Sequence, residues 1–143
     1  MVNGNFVSLN VNICYMTNDS DYLKIFIVDD SEIFRDWLNQ EFKELEGVKI
    51  TGLAANVKDG IQQILATKPD VAILDLALTD GHGLQILHAI QNATLDTKVY
   101  FFSNYPTFKV LALNNGAAGF FDKSKDAQEL IKTIRSLLKN KSD

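Results

Sequence analysis

The chain has 143 residues, 46% of them hydrophobic, and a formal net charge of -4. This length favours a single domain, and the acidic balance argues against a nucleic-acid-binding module, which would carry a basic face. No apolar run approaches the roughly 20 residues that cross a bilayer, so we expect no membrane span. Cys14 is the only cysteine, and a chain without internal disulfides fits the reducing cytoplasm, where we expect this protein to reside.

Residues 1–20 differ from the rest of the chain, because they are rich in Asn, carry almost no charge and show no sustained period. We expect them to form a flexible N-terminal extension, followed by one domain over residues 21–143. Met16 precedes a polar run that leads into the first strand, and the functional chain is expected to start there. The alternative is an added edge strand built from the apolar residues Phe6, Val7, Leu9, Val11 and Ile13.

Strand and helix patterns alternate from Leu23 onward. Short apolar runs predict five strands, over residues 23–28, 48–54, 69–74, 98–102 and 118–121. Ser31 and Asn56 are suited to cap the first two helices, and Pro106 suits the first turn of the fourth. Helical spacing predicts the inward-facing residues of the first three helices. On the first helix these are Ile33, Phe34, Trp37, Leu38, Phe42 and Leu45. On the second they are Val57, Ile61, Ile64 and Leu65, and on the third Leu84, Leu87, His88 and Ile90.

Five strands that alternate with five helices predict an α/β fold with a parallel sheet and helices on both faces. We expect a flavodoxin-like, doubly wound (βα)5 arrangement with strand order 2-1-3-4-5, and no second domain after it. In that order the first and third strands are neighbours at the topological switch point, where ligands bind outside the carboxyl ends of the strands.

Reactive side chains follow four of the five predicted strands. Asp29 and Asp30 follow the first strand, Asp75 the third, Ser103 the fourth and Lys123 the fifth. A carboxylate can act as a nucleophile toward phosphorus, and Mg²⁺ prefers a few carboxylates together with water and substrate oxygens. The chemistry therefore predicts Asp75 as nucleophile and third metal ligand, Asp29 and Asp30 as the other metal ligands, Lys123 as a compact positive charge and Ser103 as a hydroxyl donor.

The segments IFIVDD, DLALTDGHG, FFSN and GFFDKS, in that order and spacing, resemble the receiver domain of two-component response regulators, the CheY-like family. The resemblance covers residues 23–140. It implies that Asp75 is the phosphoacceptor, that Asp29 and Asp30 bind Mg²⁺, and that the backbone carbonyl of Ala77 is a further metal ligand. It assigns the lysine of the family to Lys123. It also implies a switch formed by Ser103, which turns toward the phosphoryl group, and Phe120, which becomes buried.

Three positions depart from the family pattern. Thr79 stands where a Pro is frequent, and Asn104 follows Ser103 where a small residue is common. Ser124 stands where a cis-Pro is frequent. Because a cis peptide bond before a residue other than Pro costs several kcal/mol, we expect the bond before Ser124 to be trans. These departures concern rate, partner choice and acyl-phosphate lifetime, and none removes a group that the reaction needs.

The resemblance implies a single-domain response regulator, a signalling protein rather than an enzyme. A histidine kinase or histidine phosphotransfer protein would phosphorylate it, and the face of helix 4, strand 5 and helix 5 would contact a downstream protein. We expect no direct DNA binding, and a homodimer stays open. A phosphorylation-independent adaptor is the main alternative. A phosphohydrolase would need an acid where Ala77 stands, and a flavin-binding protein would need a phosphate loop where Asp29 and Asp30 stand.

Overall fold

The structure is a computed structural model and describes residues 21–142; the expectations for residues 1–20 lie outside the described residues. Its main sheet has five parallel strands: β1 Leu23–Val28, β2 Val48–Ala54, β3 Val71–Leu74, β4 Lys98–Ser103 and β5 Gly119–Asp122. They are arranged in the order β2-β1-β3-β4-β5. The predicted fold class and strand order are thus confirmed.

The helices follow the strands as the alternation predicted. They are α1 Glu32–Lys43, α2 Val57–Thr67, α3 Gly83–Asn92, α4 Lys109–Asn114 and α5 Ala127–Ser142. Side-chain caps begin α1 and α2: Ser31 Oγ accepts the Phe34 N–H at 3.3 Å, and Asn56 Oδ1 accepts the Asp59 N–H at 2.8 Å. Within residues 21–142, we find no helix whose length and apolar content would let it cross a membrane.

The sheet separates two hydrophobic cores. Along β1, Ile25 and Ile27 point to one core, and Phe26 and Val28 point to the other, because successive strand residues face opposite sides. The first core is shared with α1 and α5, and the second with α2, α3 and α4. Burial on both faces explains why the strands are almost continuously apolar, and it leaves the strand ends as the place for polar groups.

Several inward-facing assignments on the helices were wrong. Ile33 is 80% exposed, because the core-facing row of α1 runs through Phe34, Leu38 and Phe42, one residue further along. Leu65 is exposed because the preceding residue, Ile64, takes the buried position on α2. His88 is exposed as well.

The fourth helical segment is also less regular than predicted. A 3-10 turn over Pro106–Phe108 precedes α4, which is only six residues long. A short hairpin outside the main sheet pairs Ala77–Leu78 with Gly81–His82, directly after the third strand. This hairpin gives the segment between β3 and α3 a fixed course beside the carboxyl edge of the sheet.

Candidate functional site

Three carboxylates meet at the carboxyl edge of β1 and β3. Asp29 and Asp75 directly follow paired strands, and the Asp75 N–H donates to the Val28 carbonyl at 2.8 Å. Asp29, Asp30 and Asp75 each offer an oxygen, and these oxygens lie within 4.8 Å of one another. Asp29 and Asp75 are buried, whereas Asp30 is exposed. The predicted acidic cluster is therefore present, with one member open to solvent.

Lys123 directly follows β5, and its side chain reaches this cluster at the carboxyl edge of the sheet. Its Nζ is 2.7 Å from Asp29 Oδ2 and 3.2 Å from Asp75 Oδ2. The lysine side chain is only 3% exposed. The end of β5 is held beside β4, because the Lys123 N–H donates to the Ser103 carbonyl at 2.9 Å. One buried ammonium thus bridges two buried carboxylates.

Burial and like charge act together on Asp75. Removal from water and, to a smaller extent, the negative charge of Asp29 together raise the pKa of Asp75 to about 6, although Lys123 acts in the opposite direction. The ionised cluster therefore carries more negative charge than one lysine balances. Acidic oxygens that converge with an excess of negative charge fit a small, hard divalent cation such as Mg²⁺, and Asp30 leaves one side accessible to water or to phosphoryl oxygens.

The loop between β1 and α1 is fixed by contacts that the sequence did not indicate. Asp29 Oδ1 accepts the Ser31 N–H at 2.9 Å, so one oxygen orients the loop while the other meets Lys123. Arg35 Nη1 donates to the Asp29 carbonyl at 2.7 Å. These bonds hold Asp29 in one position relative to the first turn of α1.

Asp80 fixes the loop that follows Asp75. Its two carboxylate oxygens accept the N–H groups of Val57 and Lys58, at 2.7 and 3.1 Å, at the start of α2. These bonds lower the pKa of Asp80. Sequence reasoning did not single out Asp80, because its partners lie 22 and 23 residues away. The signal available in the sequence was that both partners, Val57 and Lys58, directly follow the cap residue Asn56 at the start of a helix.

Gly83 lets the start of α3 approach the acceptor strand. A Cβ on Gly83 would lie 2.4 Å from the Asp75 carbonyl oxygen and 2.7 Å from Phe101 Cε1. The Gly83 N–H also donates to the Leu76 carbonyl at 2.8 Å. A side chain at this position would displace the backbone of Asp75.

Ser103 and Phe120, the two residues of the predicted switch, are both buried in this structure, and their role as a switch stays a prediction. Ser103, at the end of β4, is fully buried, and its Oγ accepts the Tyr105 N–H at 3.2 Å. Phe120 on β5 is 7% exposed, with its ring centroid 6.4 Å from that of Phe101. Little of Phe120 is left to bury in this conformation.

The two remaining sequence expectations concern main-chain groups. Ala77 is exposed and lies in the first strand of the short hairpin, two residues after Asp75, and its carbonyl as a metal ligand stays a prediction. The peptide bond before Ser124 is trans, as are all those in the described part of the chain. Asp122 Oδ1 accepts both the N–H and the hydroxyl of Ser124, at 2.8 and 2.7 Å, and this turn occupies the position of the cis-Pro.

An apolar groove of about 350 Å³ opens beside the hairpin; it is lined by Leu76, Ala77, Gly81, His82, Leu84, Tyr105, Phe108 and Leu111. The adjoining 3-10 turn and α4 are apolar on their exposed side. Phe108, Val110, Leu111 and Leu113 are between 39% and 67% exposed. Exposed apolar surface of this kind is typical of a protein contact.

A doubly wound sheet with three acids and a lysine at its switch point defines a protein of the two-component receiver class. Residues 25–135 match the family model described as the response regulator receiver domain. The chain belongs to the response regulator receiver domain family, a family of signalling domains in two-component systems.

Curated relatives of this chain are sensory transduction and regulatory proteins. The chain is 27% identical over 119 residues to the sensory transduction protein LytT of Bacillus anthracis, covering 83% of this chain and 48% of the relative. It is 28% identical over 128 residues to the DNA-binding transcriptional activator DevR/DosR of Mycobacterium tuberculosis, covering 84% and 59%. The chain thus spans about half the length of the curated relatives it matches.

Solved structures support the fold. A signal receiver domain from Mycobacterium tuberculosis matches with a TM-score of 0.75 and 28% identity, over 83% of this chain and 98% of that one. The response regulator domain of Thermotoga maritima CheB matches with a TM-score of 0.74 and 24% identity, over 82% and 97%. The second likeness supports the fold alone.

Proposed function

We propose that this chain is a phosphoacceptor receiver in which Asp75 takes a phosphoryl group from the histidine of a kinase or phosphotransfer protein. The observation that carries the proposal is the geometry of Asp75, a buried carboxylate beside two further acids and a buried lysine. A structural ion pair would need one acid for one lysine. Here the acids outnumber the lysine, which is the arrangement expected of a site that works with an added cation.

In the proposed reaction, a carboxylate oxygen of Asp75 attacks the phosphorus of the phosphohistidine. The new O–P bond forms as the P–N bond breaks, and the imidazole nitrogen leaves with the bonding electron pair. Lys123 then pairs with an oxygen of the transferred group, and the Ser103 hydroxyl donates to another. When bound by Asp29, Asp30, Asp75 and the Ala77 carbonyl, Mg²⁺ would neutralise charge on the phosphoryl oxygens.

The output of the phosphorylated protein is proposed to be a protein contact in the cytoplasm through the face of α4, β5 and α5. The exposed apolar side chains of α4 support this choice, since Val110 is 67% exposed and Leu111 is 45% exposed. Lys109 is the only charged residue in the α4 helix. A helix with so little charge is poorly suited to DNA and suits an apolar protein surface.

The test is the intact mass of the chain after incubation with acetyl phosphate, in Mg²⁺ and in excess EDTA. The proposal predicts one added phosphoryl mass in Mg²⁺ alone, none for Asp75→Asn, and full modification of Asp70→Asn, a matched variant of an acid at the opposite end of β3. Equal modification of Asp75→Asn and the unaltered chain would contradict the assignment of the acceptor.

A second candidate, a receiver-like adaptor that acts without phosphorylation, is favoured by one observation. Phe120 is already packed inward against Phe101. Phosphorylation would therefore have little of this ring left to bury, and the face of α4, β5 and α5 would keep one conformation. For the adaptor we expect no phosphoryl mass from either acetyl phosphate or a phosphorylated donor protein, and the same partner affinity for the unaltered chain and for Asp75→Asn.

A further inference from the structure

The buried ammonium of Lys123 lies over an aromatic ring as well as beside the two carboxylates. Its Nζ is 4.3 Å from the ring centroid of Phe34 and 5.9 Å from that of Phe102. The two rings meet edge to face, with centroids 5.8 Å apart and an interplanar angle of 84°. The lysine ammonium is therefore surrounded by the rings of Phe34 and Phe102 and by the carboxylates of Asp29 and Asp75.

Phe34 is held in this position by the start of α1. Its own N–H donates to the cap residue Ser31, and the neighbouring Arg35 binds the Asp29 carbonyl. The ring is half-buried against the core that lies between the sheet and α1. The contacts that orient Asp29 thus orient Phe34 as well, so the ring and the carboxylate approach Lys123 as one unit.

We propose that Phe34 is a positioning residue of the phosphoryl site, whose ring face holds the Lys123 ammonium beside Asp75. The inference rests on the proposed function for its role in the reaction. An ammonium that has lost its water gains from the negative face of a ring. The ring also shields from water the ammonium of Lys123, whose side chain is 3% exposed. The ammonium is thereby kept within reach of an oxygen on Asp75 instead of turning to solvent.

The role of Phe34 differs from that of a simple core residue, because it depends on the aromatic face and not on volume. Phe34→Leu keeps an apolar side chain but removes the ring, whereas Phe34→Tyr keeps the ring face. Phe42→Leu is the matched control: Phe42 lies two turns further along α1, in the same core, and is fully buried. It tests the general effect of losing a ring from this helix.

The first readout is the NMR shift of the Lys123 ε-methylene protons in the metal-free protein, which needs no phosphorylation. A ring face below the side chain moves these signals upfield. We expect the upfield shift in the unaltered chain, in Phe34→Tyr and in Phe42→Leu, and its loss in Phe34→Leu. An unchanged Lys123 signal in Phe34→Leu would overturn the proposal.

The second readout is the rate of Mg²⁺-dependent modification by acetyl phosphate. We expect Phe34→Leu to be slower by about tenfold, as the loss of a desolvated cation–π contact suggests, with the rate restored in Phe34→Tyr. Phe42→Leu is expected to lower the melting temperature and leave the rate within about twofold. Equal slowing of Phe34→Leu and Phe42→Leu would show that Phe34 acts only through packing. If the unaltered chain takes no phosphoryl group, the proposed function fails, while the Lys123 shift still decides whether Phe34 holds the ammonium.

Discussion

Replacing the acceptor Asp75 by Asn should stabilise the metal-free protein at pH 8. The raised pKa of Asp75, about 6, means that burial and the neighbouring Asp29 make its ionised form unfavourable in the folded chain. An unfolded Asp has a pKa of about 3.9, and the difference, at about 1.36 kcal/mol per pKa unit, amounts to about 3 kcal/mol. Solvent at the mouth of the site screens part of this repulsion, so we expect a gain of about 1–2 kcal/mol.

The sign of the pH dependence follows from the raised pKa. The folded chain binds a proton at Asp75 more readily than the unfolded chain, so this carboxyl favours folding at low pH. That advantage is lost as the pH rises through about 6. Asp75→Asn does not undergo this loss, and its gain should therefore be larger at pH 8 than at pH 5.

The assay is urea unfolding in EDTA at both pH values, with Asp80→Asn as the control of opposite sign. The pKa of Asp80 is lowered by the N–H groups of Val57 and Lys58, so its stabilising effect is present above the unfolded pKa and lost only as the pH falls through its lower folded pKa. Asp80→Asn should be less stable than the unaltered chain at pH 8 and at pH 5. Destabilisation by Asp75→Asn at pH 8 would refute the reasoning about charge excess.

Three further predictions concern the surroundings of the site. Gly83→Ala should lower the free energy of unfolding by about 1–3 kcal/mol and slow phosphorylation, because its Cβ would meet the acceptor backbone and Phe101; an unchanged melting temperature and rate would contradict the close packing. Ser124→Ala should cost about 1 kcal/mol and raise the pKa of Asp122, since the hydroxyl bond to that carboxylate is lost; NMR titration of the carboxyl checks this, and an unmoved pKa would refute it. Val110→Ser, at a 67% exposed position, should change stability by less than about 0.5 kcal/mol yet weaken binding of the downstream partner; equal partner affinity would remove α4 from the proposed output face.

The alternation of apolar runs and amphipathic segments was enough to predict a parallel sheet with helices on both faces, because it depends on which residues are apolar over several turns or strands. The strand order, and with it the edge where the site lies, came from the likeness to a flavodoxin-like arrangement. The error at Ile33 has a different origin, because two adjacent apolar residues on α1 compete for one buried row and only packing against the sheet decides between them. His88 likewise turned to the polar side, where its Nε2 lies 3.0 Å from Asn115 Oδ1.

The parts of the site that could not be predicted are those made by contacts across the fold. Asp29, Asp75 and Lys123 were recognisable because each follows a strand whose end points to the same edge. Phe34 carried no such signal, since a Phe on an amphipathic helix is most simply a core residue. The cap of α1 by Ser31 was predictable, but the bond from the Ser31 N–H to Asp29 and the place of the Phe34 ring over Lys123 are seen only in three dimensions.

The central claim is that Asp75 forms an acyl phosphate. Reduction with borohydride converts an aspartyl phosphate to homoserine, so the most direct measurement is peptide mapping of the reduced protein after incubation with acetyl phosphate and Mg²⁺. We expect homoserine at position 75 and no conversion at positions 29 and 30. Homoserine at position 29 or 30, or at none of the three while the donor is consumed, would contradict the assignment of Asp75 as the acceptor.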